Sequence, residues 1–206
     1  MLNPEALTLI AITDAARGGN DEIVQRALAC VRGGATMVQL RLKDANARTQ
    51  VEVARAIIAG LPAGVPLVMN DRADLAIAAG AAGVHVGADD LPAAVVRRLV
   101  GPERIVGVSV GNDAETLQAV DADYVGIGPV FATASKGDAG DAIGTAELAR
   151  LAERCARPAV AVGGIDARTA ASAMVSGVAG IAVIRAMFSA SDPEAAARSL
   201  RSAIGR

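Results

Sequence analysis

Aromatic residues are nearly missing from this chain: among 206 residues there are two phenylalanines, one tyrosine and no tryptophan. Phe131, Tyr124 and Phe188 are too few to build the stacking platforms on which single-stranded nucleic acid is bound, and the core must be filled by Ala, Val, Ile and Leu. Charge of one sign is not in excess either. Lys and Arg number 20 against 22 Asp and Glu, a formal net charge of −2. The signs are interspersed, so no basic field exists to gather phosphodiester backbones or anionic lipid. Cysteine is limited to Cys30 and Cys155, far apart and without the close pairing of a zinc knuckle or redox motif, which fits a reducing compartment. No apolar run reaches the ~18 residues of a membrane span, and Met1-Leu2-Asn3-Pro4-Glu5 lacks the cationic start of a secretory signal. The sequence reads as cytoplasmic, with neither nucleic acid nor membrane as a partner and small-molecule chemistry as the leading class.

What is present is a hydrophobic fraction of 52%, arranged with unusual regularity. Eight β-branched runs recur: Leu7 to Thr13, Thr36 to Leu42, Pro66 to Asn70, Gly83 to Val86, Arg104 to Val110, Tyr124 to Val130, Pro158 to Gly164 and Gly180 to Ala186. Between them lie stretches of helical spacing, among them Asp21 to Arg32, Asn46 to Ala59, Ala93 to Leu99, Asp113 to Val120, Thr145 to Ala156, Ala167 to Ser176 and Pro193 to Ile204. Such alternation implies parallel strands joined by right-handed crossovers, in an open doubly wound sheet or a closed barrel. Eight repeats favour closure, so the expected fold is α/β, a single (β/α)8 TIM barrel in one domain over residues 1–206. Phe131 to Gly144 is the longest irregular stretch. It is expected to form a loop after the sixth strand that closes over bound ligands.

In such barrels chemistry sits at the C-terminal ends of the strands. The second run ends Gln39-Leu40-Arg41-Leu42-Lys43, whose period of two puts Gln39, Arg41 and Lys43 on one face. An anion such as a phosphate would satisfy all three, while a solvated strand end paired with Asp44 is an equally weighted reading. The third run ends Asn70-Asp71-Arg72, and Asp90 follows the fourth. Two carboxylates on neighbouring rims suggest Mg²⁺, which takes one or two carboxylates and fills its shell with water and phosphate oxygens. Helix caps are the competing reading, and for Asp90 alone the favoured one. Ser109 follows the fifth run, Thr133, Ser135 and Lys136 follow the sixth, and Gly163-Gly164 and Ile184-Arg185-Ala186 end the seventh and eighth. Loops seven and eight of this architecture commonly hold phosphate; a turn or a solvated lysine accounts for each residue taken singly. His85, the single histidine, lies between Val84 and Val86 and reads as a hydrogen-bonded structural residue. Cys30 and Cys155 read as core thiols, so covalent catalysis is not expected. Two anion sites thus emerge, one of them with a metal.

These residues resemble the thiamine phosphate synthase family over essentially the whole chain. The resemblance is carried by Val38 to Lys43, Asn70-Asp71-Arg72, Gly83 to Gly87 with Asp90, Gly107-Val108-Ser109, Asp123 to Phe131 with Thr133, Ser135 and Lys136, and Val162-Gly163-Gly164-Ile165. It implies a (β/α)8 barrel that joins hydroxymethylpyrimidine diphosphate to a thiazole phosphate with release of diphosphate. By position it implies that Gln39, Arg41, Lys43, Asn70, Ser109 and Lys136 hold the pyrimidine diphosphate, with Arg41, Lys43 and Lys136 neutralising the leaving group. Asp71 and Asp90 would bind Mg²⁺, and Thr133, Ser135, Gly164 and the Ile184-Arg185 segment would hold the thiazole phosphate. Three positions depart from the family pattern: Ala88 replaces a common glutamine, Gly111 a frequent histidine, and Arg185 a serine. A related branch isomerises the thiazole phosphate with a histidine near 111, and a non-catalytic thiazole-binding homologue is the third reading. Exposed apolar helix faces could pair in a homodimer, while the sequence does not fix the oligomeric state.

Overall fold

The computed structural model describes residues 2–14, 18–133, 140–174 and 177–205. Eight short strands carry Val, Ile, Leu and Ala on both faces: β1 (Leu9–Ile12), β2 (Met37–Leu40), β3 (Leu67–Asn70), β4 (Gly83–Val86), β5 (Ile105–Val110), β6 (Tyr124–Ile127), β7 (Ala159–Val162) and β8 (Val178–Val183). They form one closed parallel barrel in sequence order, with β8 returning to β1. Burial on both faces is what reads as continuous apolar runs in the sequence. The pleat divides the core in two. Ile10, Ile12, Met37, Val68, Tyr124, Val160 and Ala182 pack into the barrel interior, whereas Leu9, Ala11, Val38, Leu40, Val84 and Val106 face outward onto the helices.

The surrounding helices are α1 (Asn20–Arg32), α2 (Ala47–Gly60), α3 (Ala73–Ala79), α4 (Ala93–Val100), α5 (Asp113–Gln118), α6 (Gly144–Arg154), α7 (Ala170–Ala173), α8 (Arg185–Phe188) and α9 (Pro193–Ala203). Several start where the sequence supplies a cap. Asn46 accepts from the Thr49 N–H and Asp192 from the Ala195 N–H, the latter just ahead of Pro193.

Two elements differ from the sequence reading. The eighth strand ends at Val183 rather than Ala186, so Ile184-Arg185-Ala186 is not a strand end; Arg185 opens α8, which buries Met187 and Phe188. The seventh helix, expected over Ala167 to Ser176, covers only Ala170–Ala173, because Asp166 and Thr169 bond to each other and make the preceding residues a turn. Of the loop expected over Phe131 to Gly144, residues 134–139 lie outside the described residues, and so does the closure expected of it.

The N-terminal end of the barrel is pinned by side chains. The Arg97 guanidinium donates to the carbonyls of Gly101 and Arg104 at 3.1 and 2.6 Å and to the Asp123 carboxylate at 2.7 Å. Asp123 in turn accepts from the Val106 N–H, tying β5 to the entry of β6. The Thr36 hydroxyl likewise accepts from the Leu9 N–H and donates to the carbonyls of Ala6 and Leu9, joining the entries of β1 and β2.

Candidate active site

The inward face of β2 continues past the strand as Gln39, Arg41 and Lys43, the alternation read from the sequence. Gln39 is buried and donates through Nε2 to Asn70 Oδ1 at 2.8 Å, so the two amides orient each other. Arg41 lies one residue beyond β2, where backbone pairing has run out. Its backbone is held instead by buried Thr13, whose hydroxyl accepts from the Arg41 N–H at 2.8 Å and donates to the Arg41 carbonyl at 3.0 Å. The Arg41 Nε is buried with no hydrogen-bond partner among the described residues. A buried donor left open in this way is costly unless a ligand completes it.

Asp71 follows β3 in the left-handed region, at φ 63°, the one non-glycine residue with positive φ among those described. Its N–H donates to the His85 carbonyl at 2.7 Å, and its carboxylate stands 3.8 Å from Lys43 Nζ. Strain of this kind at a strand end marks functional positions. Asp90 accepts from the Gly87 N–H at 2.7 Å, closing the turn after β4. The helix-cap reading fails for both carboxylates: the N-caps of α3 and α4 are Arg72 and Pro92, and neither helix start receives a side-chain cap bond.

All of these open onto one cavity of about 510 Å³ at the C-terminal rim. Gln39, Arg41, Lys43, Asn70, Asp71, Asp90, Ser109, Thr133, Gly164, Ile184 and Arg185, spread through the whole sequence, line it together. Ser135 and Lys136 lie outside the described residues. Opposite the cationic side, Gly163 and Gly164 follow β7 at φ 94° and 66°, and a Cβ on them would lie 2.6 Å from Pro129 Cβ and from the Phe131 carbonyl oxygen. Only glycine fits that corner, and it presents bare backbone to the cavity that Thr133 and Arg185 also line. Asp166 also lines the cavity, but hydrogen bonds from Arg168 and from the backbone N–H groups of Arg168 and Thr169 hold its carboxyl below the usual range. It is engaged in its own turn.

At the cavity floor His85 is buried and hydrogen-bonded, as its position between two valines suggested. Its Nδ1 lies 3.0 Å from the Tyr124 hydroxyl and its Nε2 3.1 Å from Ser109 Oγ. Both ring nitrogens are occupied, which removes the imidazole as a metal ligand or free base. Cys30 is buried, with its thiol pushed up to about 12, and the half-buried Cys155 thiol is also raised by burial. Neither lines the cavity, so no thiolate nucleophile is on offer there.

No group of three or more His, Cys, Asp or Glu side chains suited to a metal occurs among the described residues. Asp71 and Asp90 therefore offer a pair of hard oxygen donors rather than a closed cage. That donor set fits Mg²⁺ on a phosphorylated ligand, which completes its own shell. Three residues around the site escape the sequence reading. Thr13 closes the first apolar run, Tyr124 is the single tyrosine, and Glu115 accepts from the Gly111 N–H at 2.6 Å and from Asn112 Nδ2 at 2.7 Å. The signal for Glu115 is the Asn112-x-x-Glu115 spacing of a capping box.

Residues 9–187 match the family model described as thiamine monophosphate synthase. The thiamine-phosphate synthase of Xanthobacter autotrophicus is 46% identical over 213 residues, covering 99% of this chain and 98% of that one. That of Roseiflexus sp. is 46% identical over 196 residues, covering 94% and 83%. Among solved structures, the thiamine phosphate pyrophosphorylase of Pyrococcus furiosus superposes with a TM-score of 0.86 at 33% identity, covering 98% of this chain and 97% of that one. A 3-hexulose-6-phosphate synthase, at TM-score 0.72 and 19% identity over 96% and 99% of the two chains, shares the fold alone.

Proposed function

We infer that this chain, which belongs to the thiamine monophosphate synthase family, is a transferase that joins hydroxymethylpyrimidine diphosphate to a thiazole phosphate, giving thiamine phosphate and diphosphate. One observation carries the assignment of its site. A single cavity gathers the open Arg41 Nε, Lys43 and the Asp71/Asp90 pair on one side, and the Thr133, Gly164 and Arg185 corner on the other. Two phosphorylated substrates need two anion subsites, and the residues gathered around this cavity support that reading.

On this reading Gln39 and Asn70 orient the pyrimidine diphosphate, together with Arg41, Lys43, Ser109 and Lys136. Thr133, Ser135, Gly164 and the Ile184-Arg185 segment receive the thiazole phosphate. Asp71 and Asp90 would hold Mg²⁺, which when bound neutralises charge on the departing diphosphate. The methylene C–O bond breaks with its electron pair leaving on the diphosphate oxygen, and the lone pair of the thiazole nitrogen forms the new C–N bond. Arg41, Lys43 and Lys136 stabilise the charge that grows on the leaving group. Ile10, Ile12 and Val160 line the floor and exclude water from the short-lived pyrimidine-methyl cation. No side chain acts as a nucleophile; alignment of the two substrates supplies the rest.

Gly111 stands where the isomerising branch has its histidine, and Glu115 there is tied to the Gly111 and Asn112 donors, which favours the synthase. Arg185 replaces a neutral hydroxyl by a cation at the thiazole phosphate, which strengthens an anion subsite. The functional unit is one barrel domain over residues 1–206, working in the cytoplasm. Leu99, Leu117 and Val120, exposed on neighbouring α4 and α5 and just beyond, support a homodimer. No helix among the described residues is long and apolar enough to cross a membrane.

The test is diphosphate release from the two substrates with Mg²⁺ and with chelator. Release that depends on Mg²⁺ and matches thiamine phosphate formation one for one is the expected result. Binding of thiazole phosphate without any release would leave a non-catalytic homologue instead.

A further inference from the structure

Two side chains at the cavity floor take no direct part in the reaction as proposed, yet they form a continuous chain into it. Tyr124 on β6 reaches across β5 to His85 on β4, with ring centroids 5.4 Å apart, and His85 reaches back to Ser109 on β5. The slot is built for them. A Cβ on Gly107, between the two rings, would lie 2.3 Å from Tyr124 Cζ and 2.5 Å from His85 Nδ1, so any side chain there would break the pair.

The direction of the chain follows from what surrounds its buried end. Tyr124 is fully buried among Leu7, Ile10, Met37, Ile105 and Val160, and its phenol is kept protonated by burial. Its hydroxyl has one hydrogen-bond partner among the described residues, His85 Nδ1. If Nδ1–H donated to the phenol, the phenolic proton would be left in an apolar interior with no acceptor. The phenol therefore donates, Nδ1 accepts, and the ring proton sits on Nε2, from which it is donated to Ser109 Oγ. Ser109 Oγ is then an acceptor inside the barrel, and its own proton is left to the cavity it lines.

We propose that Tyr124 and His85 are positioning residues that fix Ser109 as a hydrogen-bond donor to the pyrimidine diphosphate, holding the hydroxyl proton toward an anionic oxygen. The proposal rests on the synthase reading for the identity of the acceptor. A hydroxyl free to rotate presents a lone pair or a proton; one already accepting from a fixed N–H presents its proton. Electrostatic preorganisation of this kind lowers the reorganisation needed when charge develops.

His85 is the single histidine, so ¹⁵N-labelled histidine gives one imidazole spectrum, and long-range ¹H–¹⁵N couplings identify the tautomer in the unmodified protein. The Nε2–H tautomer is expected. The Nδ1–H tautomer overturns the proposal, whatever the activity. A double-mutant cycle supplies the kinetic arm. Tyr124→Phe is expected to lower kcat/KM for the pyrimidine diphosphate by roughly 10-fold, with KM for the thiazole phosphate unchanged. In a Ser109→Ala background the same substitution is expected to change it less than about 2-fold, since nothing remains to be oriented. Equal losses in both backgrounds would make Tyr124 a packing residue and contradict the proposal. An inactive wild-type chain would count against the synthase reading, and the tautomer would still decide the polarity of the chain.

Discussion

Arg97 and Arg41 occupy opposite ends of the same barrel and are treated in opposite ways. At the N-terminal end, Arg97 is saturated by the carbonyls of Gly101 and Arg104 and by the Asp123 carboxylate. At the C-terminal rim, the Arg41 backbone is clamped by Thr13, yet its Nε is buried without a partner among the described residues. One arginine completes the fold, while the other waits for something the fold does not contain. Asp123 and Asp71 differ in their geometry. The first accepts from both Arg97 and a backbone N–H, whereas the second sits at positive φ, 3.8 Å from Lys43. A satisfied Arg97 at the bottom and an Arg41 Nε left open at the rim fit a barrel whose bottom supplies stability and whose rim supplies chemistry.

Changes at the rim are expected to have the largest effects, and on turnover alone. Asp71→Asn, Lys136→Ala, or chelation of Mg²⁺ should each lower kcat by about 100-fold or more. Thermal midpoints measured on the same samples should stay within about 3 °C of wild type. A large fall in midpoint with chelator would show a structural metal and erase the contrast between the ends.

The reverse is expected at the bottom. Arg97→Ala leaves the carbonyls of Gly101 and Arg104 and the Asp123 carboxylate without their donor, and with the site only partly exposed to water it should destabilise by about 2 kcal/mol. Urea unfolding gives that value, and kcat/KM at saturating Mg²⁺ should remain within about 2-fold. Gly163→Ala tests the boundary between the two regions. Its φ of 94° and the Pro129 contact make a loss of roughly 1–2 kcal/mol the expected outcome, accompanied by a raised KM for the thiazole phosphate and an unchanged KM for the pyrimidine diphosphate.

The smallest effect belongs to the outer surface. Arg150 bonds to Asp113 and Glu147 and holds both carboxyls below their usual range. A carboxyl whose folded pKa is depressed contributes stability that is present above its unfolded pKa and lost as pH falls through the folded one. Arg150→Gln should therefore lower the thermal midpoint slightly at neutral pH, and the difference should shrink as pH falls below the usual carboxylate range. Both carboxylates are at the surface, so salt should shrink it as well.

The barrel was legible in the sequence because parallel strands covered on both faces leave uninterrupted apolar runs; Gly83 to Val86 was read with the bounds the structure gives. The rim was legible as far as strand periodicity reached, which placed Gln39, Arg41 and Lys43 on one side. It failed where local packing decides. Arg185 reads as strand because Ile181 to Ile184 is apolar, but burial of Met187 and Phe188 turns the chain into α8 at that point. Asp90 taken alone reads as a cap because Asp commonly is one, while the structure uses it to close the turn at the Gly87 N–H and leaves the cap position of α4 to Pro92. The Tyr124, His85 and Ser109 chain links residues 39 and 24 positions apart, and only the register of β4, β5 and β6 brings them together. No spacing in the sequence carries that information.

Turnover and thermal midpoint measured on one preparation of Arg41→Met test the division of the barrel most directly. If the guanidinium is held open for a phosphorylated substrate, turnover falls by about 100-fold or more, while the midpoint of the ligand-free protein does not fall, since an unsatisfied buried donor has been replaced by an apolar chain of similar length. Turnover close to wild type, or a drop in midpoint as large as that of Arg97→Ala, would place Arg41 with the residues that hold the fold and contradict the account.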